Sequence, residues 1–185
     1  MKTFDIVLLR HGAVDSNRCC YGQRNDVALS EEGQQQVTVL ADRVERGVHV
    51  VSSPALRART TAAAISEDVR LDGRWAERDF GEWESRPWDD CWAEAPEALA
   101  GIDAYVAYTP PGGEPLEAVA SRVAEALEEL REPVIVVTHG GPIRLALRHV
   151  LNCTWAQAFA FDPAPATITR LTRQGDHWSV RCVGA

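Results

Sequence analysis

Phe4-Asp5-Ile6-Val7-Leu8-Leu9 runs directly into Arg10-His11-Gly12. An apolar run of this length, closed by polar residues and a glycine, reads as a buried strand followed by a turn. Val134 to Val137 repeats the pattern and ends on Thr138-His139-Gly140-Gly141, while Val48 to Val51 runs into Ser52-Ser53-Pro54. Helical patterns fill the intervals. Ser30 is the expected N-cap of a helix with Val37, Leu40, Ala41 and Val44 on one face, closed by Gly47. Further helices are expected from Pro54 to about Glu67, from Glu114 to Arg131, and from about Pro142 to Leu151. Residues 12–29 read as a long polar loop, residues 69–84 as extended, and residues 86–108 as short aromatic-rich helices. Residues 166–172 and 177–183 alternate around Gln174-Gly175-Asp176, a hairpin pattern. Alternating strands and helices define an α/β fold: a three-layer sandwich with a mostly parallel central sheet and helices on both faces.

A chain of 185 residues, 45% of them hydrophobic and 25% charged, is the size and composition of one folded domain spanning residues 1–185. Its net charge of −8 opposes a nucleic-acid footprint. The apolar runs are too short to span a bilayer, and no leader pattern follows Met1, so the expectation is a cytoplasmic protein with no membrane partner. Lys2 is the sole lysine, which excludes an internal Schiff base and a Walker-type phosphate loop. The five cysteines lack CxxC spacing, so neither a disulfide framework nor a zinc site is expected. No cysteine has an arginine six residues later, which removes the cysteine-phosphatase loop.

In open α/β sheets, ligands bind outside the carboxyl ends of the strands. Arg10, His11 and His139 each follow such an end, and Arg57 falls in the first turn of the helix after the third strand. Two guanidiniums, two imidazoles and a helix N-terminus make an anion site.

Taken in order, these segments resemble the histidine phosphatase superfamily (phosphoglycerate mutase-like). Leu9-Arg10-His11-Gly12 is similar to its signature, with Asn17 six residues after the histidine. Gly22-Gln23, Asp26, Leu29-Ser30 and Gly33 resemble the next block. Ser53-Pro54 with Arg57-Ala58 and Thr61-Ala62 resembles the second-arginine block, Trp75 to Glu84 the acid-bearing block, and Thr138 to Gly141 the second-histidine block. The sequence departs at Ala13-Val14, where the family often has Glu-Thr, and at Ser85, where a glycine is often seen.

The resemblance implies a metal-independent phosphatase without cofactor. His11 would attack phosphorus as a neutral imidazole. Arg10, Arg57 and a protonated His139 would hold the non-bridging oxygens, and Glu77 would act as general acid and base, with Glu84 its rival. Asn17, Gln23 and Gly140 would contact substrate, with Cys19 and Cys20 on the same loop. Residues 75–113 would form a lid-like, substrate-determining segment. Its Trp83, Trp88, Trp92, Tyr105 and Tyr108 would line the lid or pack as core.

Only 61 residues lie between Glu77 and His139, short for a mutase. The phosphatase branch is expected, acting on a small phosphomonoester. Cys20-Tyr21-Gly22-Gln23 and Pro110 to Glu114 resemble the α-ribazole phosphatase group of cobalamin assembly. Broad-specificity phosphatases, phosphoglycerate mutase-type transferases and a non-catalytic phospho-ligand module are the alternatives. A homodimer is compatible with the sequence, which does not encode the oligomeric state.

Overall fold

The computed structural model describes residues 2–15, 18–24 and 26–185. Six strands form one sheet: β1 (Thr3–Arg10), β2 (His49–Ser52), β3 (Val69–Leu71), β4 (Val134–Thr138), β5 (Ile168–Gln174) and β6 (His177–Cys182). Their order is β3-β2-β4-β1-β5-β6. β1, β2, β3 and β4 pair in parallel, and the β5–β6 hairpin adds antiparallel to β1.

The two central strands are apolar at nearly every position because both faces are covered. Ile6, Leu8, Val134 and Val136 face one core, shared with α5 (Leu116–Glu128) and α6 (Gly140–Leu151). Val7, Leu9, Ile135 and Val137 face the other, shared with α1 (Glu31–Ala41) and α2 (Leu56–Ala63). The expected three-layer architecture is the one observed. No helix among the described residues is long and apolar enough to cross a membrane.

A third, smaller cluster lies outside the layers. Cys20, Phe80, Trp83, Cys91, Ala95 and Ala98 bury one another, with Trp88, Trp92 and Tyr108 packed against them. It is built from α3 (Trp88–Glu94) and the turns on either side of it, with Tyr108 just past α4 (Ile102–Ala107) packed against them. The loop after β1 is pinned to this cluster: Cys20 N–H donates to Arg86 O, and Ser85 N–H donates to Cys20 O.

Several boundaries differ from the sequence expectation. Residues 69–84 are not extended. After the three residues of β3 the chain makes 3-10 turns at Gly73–Trp75 and Gly81–Trp83, the first capped by the Asp72 side chain, and buries both tryptophans. α1 stops at Ala41, where Asp42 closes it, so Gly47 is not its cap; at φ +79° Gly47 instead turns the chain into β2. α2 starts after Ala55 and ends at Ala63, and α5 starts at Leu116. A short helix α7 (Trp155–Phe159), set by a Thr154–Gln157 capping box, had no counterpart in the sequence reading.

Candidate active site

Register brings the site together. Arg10 stands opposite Thr138, and Ser52 opposite Val137, so the carboxyl ends of β1, β4 and β2 are level. His11 and His139 leave the sheet side by side, with ring centroids 5.0 Å apart in an edge-on arrangement. They open on a cavity of about 840 Å³ whose wall also includes Arg10, Arg57, Glu77 and Gly140.

His11 is buried, and its Nδ1 lies 2.7 Å from Gly12 O. A carbonyl only accepts, so Nδ1 carries the proton and Nε2 keeps its lone pair. Burial, with Arg57 and Arg10 nearby, lowers its pKa to about 3, which keeps the imidazole neutral at pH 7. The Gly12 backbone is pressed against α1: a Cβ there would stand 2.6 Å from Gly33 O and 2.7 Å from Val37 Cγ2.

His139 caps the N-terminus of α6, and its Nε2 lies 2.8 Å from Ser53 Oγ, while Nδ1 is buried without a partner. Burial, His11 and the two arginines hold it well below its ordinary pKa. The protonated His139 expected from the sequence is that of the phosphate-bound site, where a dianion would offset the guanidiniums.

Arg10 donates Nη1–H to Pro163 O at 2.8 Å, and its buried Nε has no partner. Arg57 donates to Arg24 O at 2.8 Å and Gly22 O at 2.6 Å, which ties the loop after β1 to α2. Burial lowers both guanidinium pKa values, opposed by Glu77, but arginines stay charged at pH 7. The Glu77 carboxylate accepts from Arg78 N–H at 2.9 Å and from Gly141 N–H at 3.1 Å, on the first turn of α6.

The structure sorts the remaining expectations. Glu84 is off the cavity wall; it accepts from Gln23 N–H at 2.6 Å and Phe80 N–H at 3.2 Å, and burial raises its pKa. Gln23 is half-buried, and its neighbour Gly22 lines the cavity in its place. Asn17 lies outside the described residues. Cys19 lines the cavity; Cys20 sits in the third cluster, where burial pushes its thiol up. Trp88, Trp92 and Tyr105 form cavity wall, with Phe80 and Phe159 beside them. Trp83 is buried behind, stacked on Tyr108. Among the described residues no group of three or more His, Cys, Asp or Glu is arranged to hold a metal.

Two residues at the site, Arg78 and Arg122, are absent from the sequence expectations, and Ser53 and Gly141 stand there only as motif positions without a role. Arg78 is buried in the cavity wall near the rings of Phe80 and Tyr105. Arg122 lies one helical turn from Val119 and Ala126, so its charge interrupts the apolar face of α5, a signal visible in the sequence.

The family model for the histidine phosphatase superfamily (branch 1) matches residues 6–185. A fructose-2,6-bisphosphatase TIGAR from Xenopus tropicalis is 37% identical over 142 residues, covering 70% of this chain and 50% of that protein. The chain spans about half the length of the first curated relatives it matches, between 44% and 50%. Mycobacterial glucosyl-3-phosphoglycerate phosphatase superposes with a TM-score of 0.86 at 27% identity, over the whole of both chains. A structure described as a putative alpha-ribazole-5'-P phosphatase from Escherichia coli superposes at 0.88 over 100% of this chain and 97% of that one. At 20% identity that likeness concerns the fold alone.

Proposed function

The chain belongs to the histidine phosphatase superfamily, and from that premise we propose that it is a phosphomonoesterase working through a phosphohistidine at His11. The observation that carries the reading is the His11 ring. Its Nδ1–H is committed to Gly12 O, so the Nε2 lone pair is the nucleophile, in a cavity walled by Arg10, Arg57, Glu77 and His139.

Nε2 attacks phosphorus, the P–O bond to the leaving group breaks, and the leaving oxygen takes the Glu77 carboxyl proton. Water then attacks the phosphohistidine and gives a proton to the Glu77 carboxylate; the P–N bond breaks and phosphate departs. Arg10 and Arg57 hold the non-bridging oxygens, where fixed charge meets the spread charge of the transition state. A bound phosphate dianion favours a proton on His139, which then joins them. Brief reaction with labelled substrate tests this: wild type is expected to carry an acid-labile, base-stable phosphate, and His11→Ala none. More than a few percent of wild-type turnover in His11→Ala would overturn the assignment.

Residues 75–113 are the substrate-determining segment in this reading. The outer cavity is aromatic, and its Arg144 is already matched by Asp162 at 2.7 Å. Such a wall suits an aromatic or ribosyl leaving group, with stacking worth roughly 1–3 kcal/mol. α-Ribazole 5′-phosphate, the substrate of a cobalamin-assembly phosphatase, is the test compound for that class. The relatives favour a second reading, a sugar or glycerate phosphate such as fructose 2,6-bisphosphate or glucosyl-3-phosphoglycerate. Ranking all three with 3-phosphoglycerate by kcat/KM decides between them. A lead for the sugar or glycerate phosphates would remove the aromatic reading and leave the phosphatase reading intact.

A further inference from the structure

Arg122 has no place in the chemistry above, yet it is largely buried and every one of its N–H groups is used. Nε donates to Glu114 Oε1 at 2.8 Å and Nη2 to Glu114 Oε2 at 2.9 Å. Nη1 donates to Arg74 O and to Ala76 O, both at 2.8 Å, and Nη2 donates to Glu77 O at 2.9 Å. A guanidinium has five N–H donors, so none is left for a substrate. The acceptors are one carboxylate and three carbonyls of the turn that delivers Glu77.

We propose that Arg122 and Glu114 are a positioning pair that sets the Glu77 carboxylate against the leaving oxygen. Glu114 extends the brace. Its N–H donates to Asp79 O at 2.9 Å, and its carbonyl accepts from Arg78 Nε at 2.8 Å. The Pro110-to-Gly113 turn that precedes it is pressed onto the same segment. A Cβ at Gly113 would stand 2.8 Å from Asp79 O, and one at Gly81 would overlap Pro111 O. Backbone from Arg74 to Asp79 is thereby held from one side by a single ion pair, and the Glu77 side chain is held from the other by α6.

Burial is costly for both charges, whose side chains are only 17% and 20% exposed. An apolar pair of similar volume would avoid that cost, but it would leave the carbonyls of Arg74, Ala76 and Glu77 without their donors. What an apolar pair cannot supply is a planar fork that fixes three carbonyls at once. Proton transfer needs a heavy-atom separation near 2.6–3.2 Å, and a misplacement of about 1 Å can cost about 10²-fold.

The inference rests on Glu77 as the proton donor. Its test compares kcat/KM for β-glycerophosphate, whose leaving alkoxide needs a proton, and p-nitrophenyl phosphate, whose phenolate barely does. Arg122→Lys is expected to lose at least tenfold on the alkyl ester and under threefold on the aryl ester. Vanadate inhibition should stay within twofold, and Arg122→Lys should add nothing to Glu77→Gln. Equal losses on both esters, weakened vanadate inhibition, additivity with Glu77→Gln or no loss would each overturn the proposal. The double variant Arg122→Met/Glu114→Leu, designed to keep the packing, should show the same selective loss, and wild-type selectivity in it would also overturn the proposal. If Glu77→Gln itself leaves the ester ratio unchanged, the proton-donor reading falls and this inference with it. If Glu77→Gln changes the ratio and the Arg122 variants do not, only the inference falls.

Discussion

Glu77 reaches the first turn of α6 only because residue 141 has no side chain: a Cβ on Gly141 would overlap Glu77 Oε1. The carboxylate instead accepts the Gly141 N–H, at the positive end of the helix. Alanine in place of glycine normally strengthens a helix by about 1 kcal/mol. Gly141→Ala should therefore keep the fold and displace the carboxylate. The expected result is a loss of at least tenfold in kcat/KM on alkyl phosphates with unaltered circular dichroism. Wild-type turnover would mean that the Glu77 position does not matter.

Glu84 gives the opposite pattern. It joins Gln23 and Phe80 through their backbone N–H groups and lies off the cavity wall. Glu84→Gln keeps an oxygen that can accept both N–H groups and removes a charge that burial disfavours, so stability should change by no more than about 1 kcal/mol. Its effect on kcat/KM should be the same for alkyl and aryl esters. A loss confined to alkyl esters would show that Glu84, not Glu77, donates the proton.

Ser85 has φ +71°, in the left-handed region. That conformation costs a residue with a Cβ roughly 1–2 kcal/mol, and glycine little. Ser85→Gly is expected to stabilise the chain by about 1 kcal/mol, a rise in Tm of roughly 2–4 °C for a domain of this size. Calorimetry checks it, and an unchanged or lower Tm would rule out strain at this position.

Acid should unfold the protein partly through its two site histidines. His11 falls from 6.5 to about 3 on folding. Between those values the unfolded chain holds a proton that the folded site rejects, so stability falls as the pH drops through this window. His139 is shifted the same way. In urea melts at pH 7 and pH 4, the wild type should lose more stability than His11→Gln/His139→Gln. Equal losses would show that the histidines do not drive the acid transition.

The sequence made the central strands and the cavity residues that follow them readable because each carries a local signature: an apolar run, then His-Gly or Ser-Pro. Arg10, His11, Arg57 and His139 stand around one cavity as their positions after strand ends implied. The Glu77 turn was less readable. Between Val69 and Glu84 the backbone follows tertiary packing of Trp75 and Trp83 rather than any short-range period, so an extended reading failed. Arg122 shows in the sequence only as a charge on the apolar face of α5, and its role is hidden for a related reason. Its partners at 74, 76 and 77 are backbone carbonyls, and carbonyls leave no trace in residue identity.

The placement of β1 has a consequence for synthesis. It is an interior strand, and its neighbours β4 and β5 begin at Val134 and Ile168. Ile6, Val7, Leu8 and Leu9 thus leave the ribosome well over a hundred residues before the first strand that covers them. At about 5–20 residues per second that interval is roughly 6–25 s, a period in which an apolar strand has neither ladder partner. The same pairing that sets Arg10 and His11 beside His139 in the finished molecule leaves β1 exposed to wrong partners while the chain is growing.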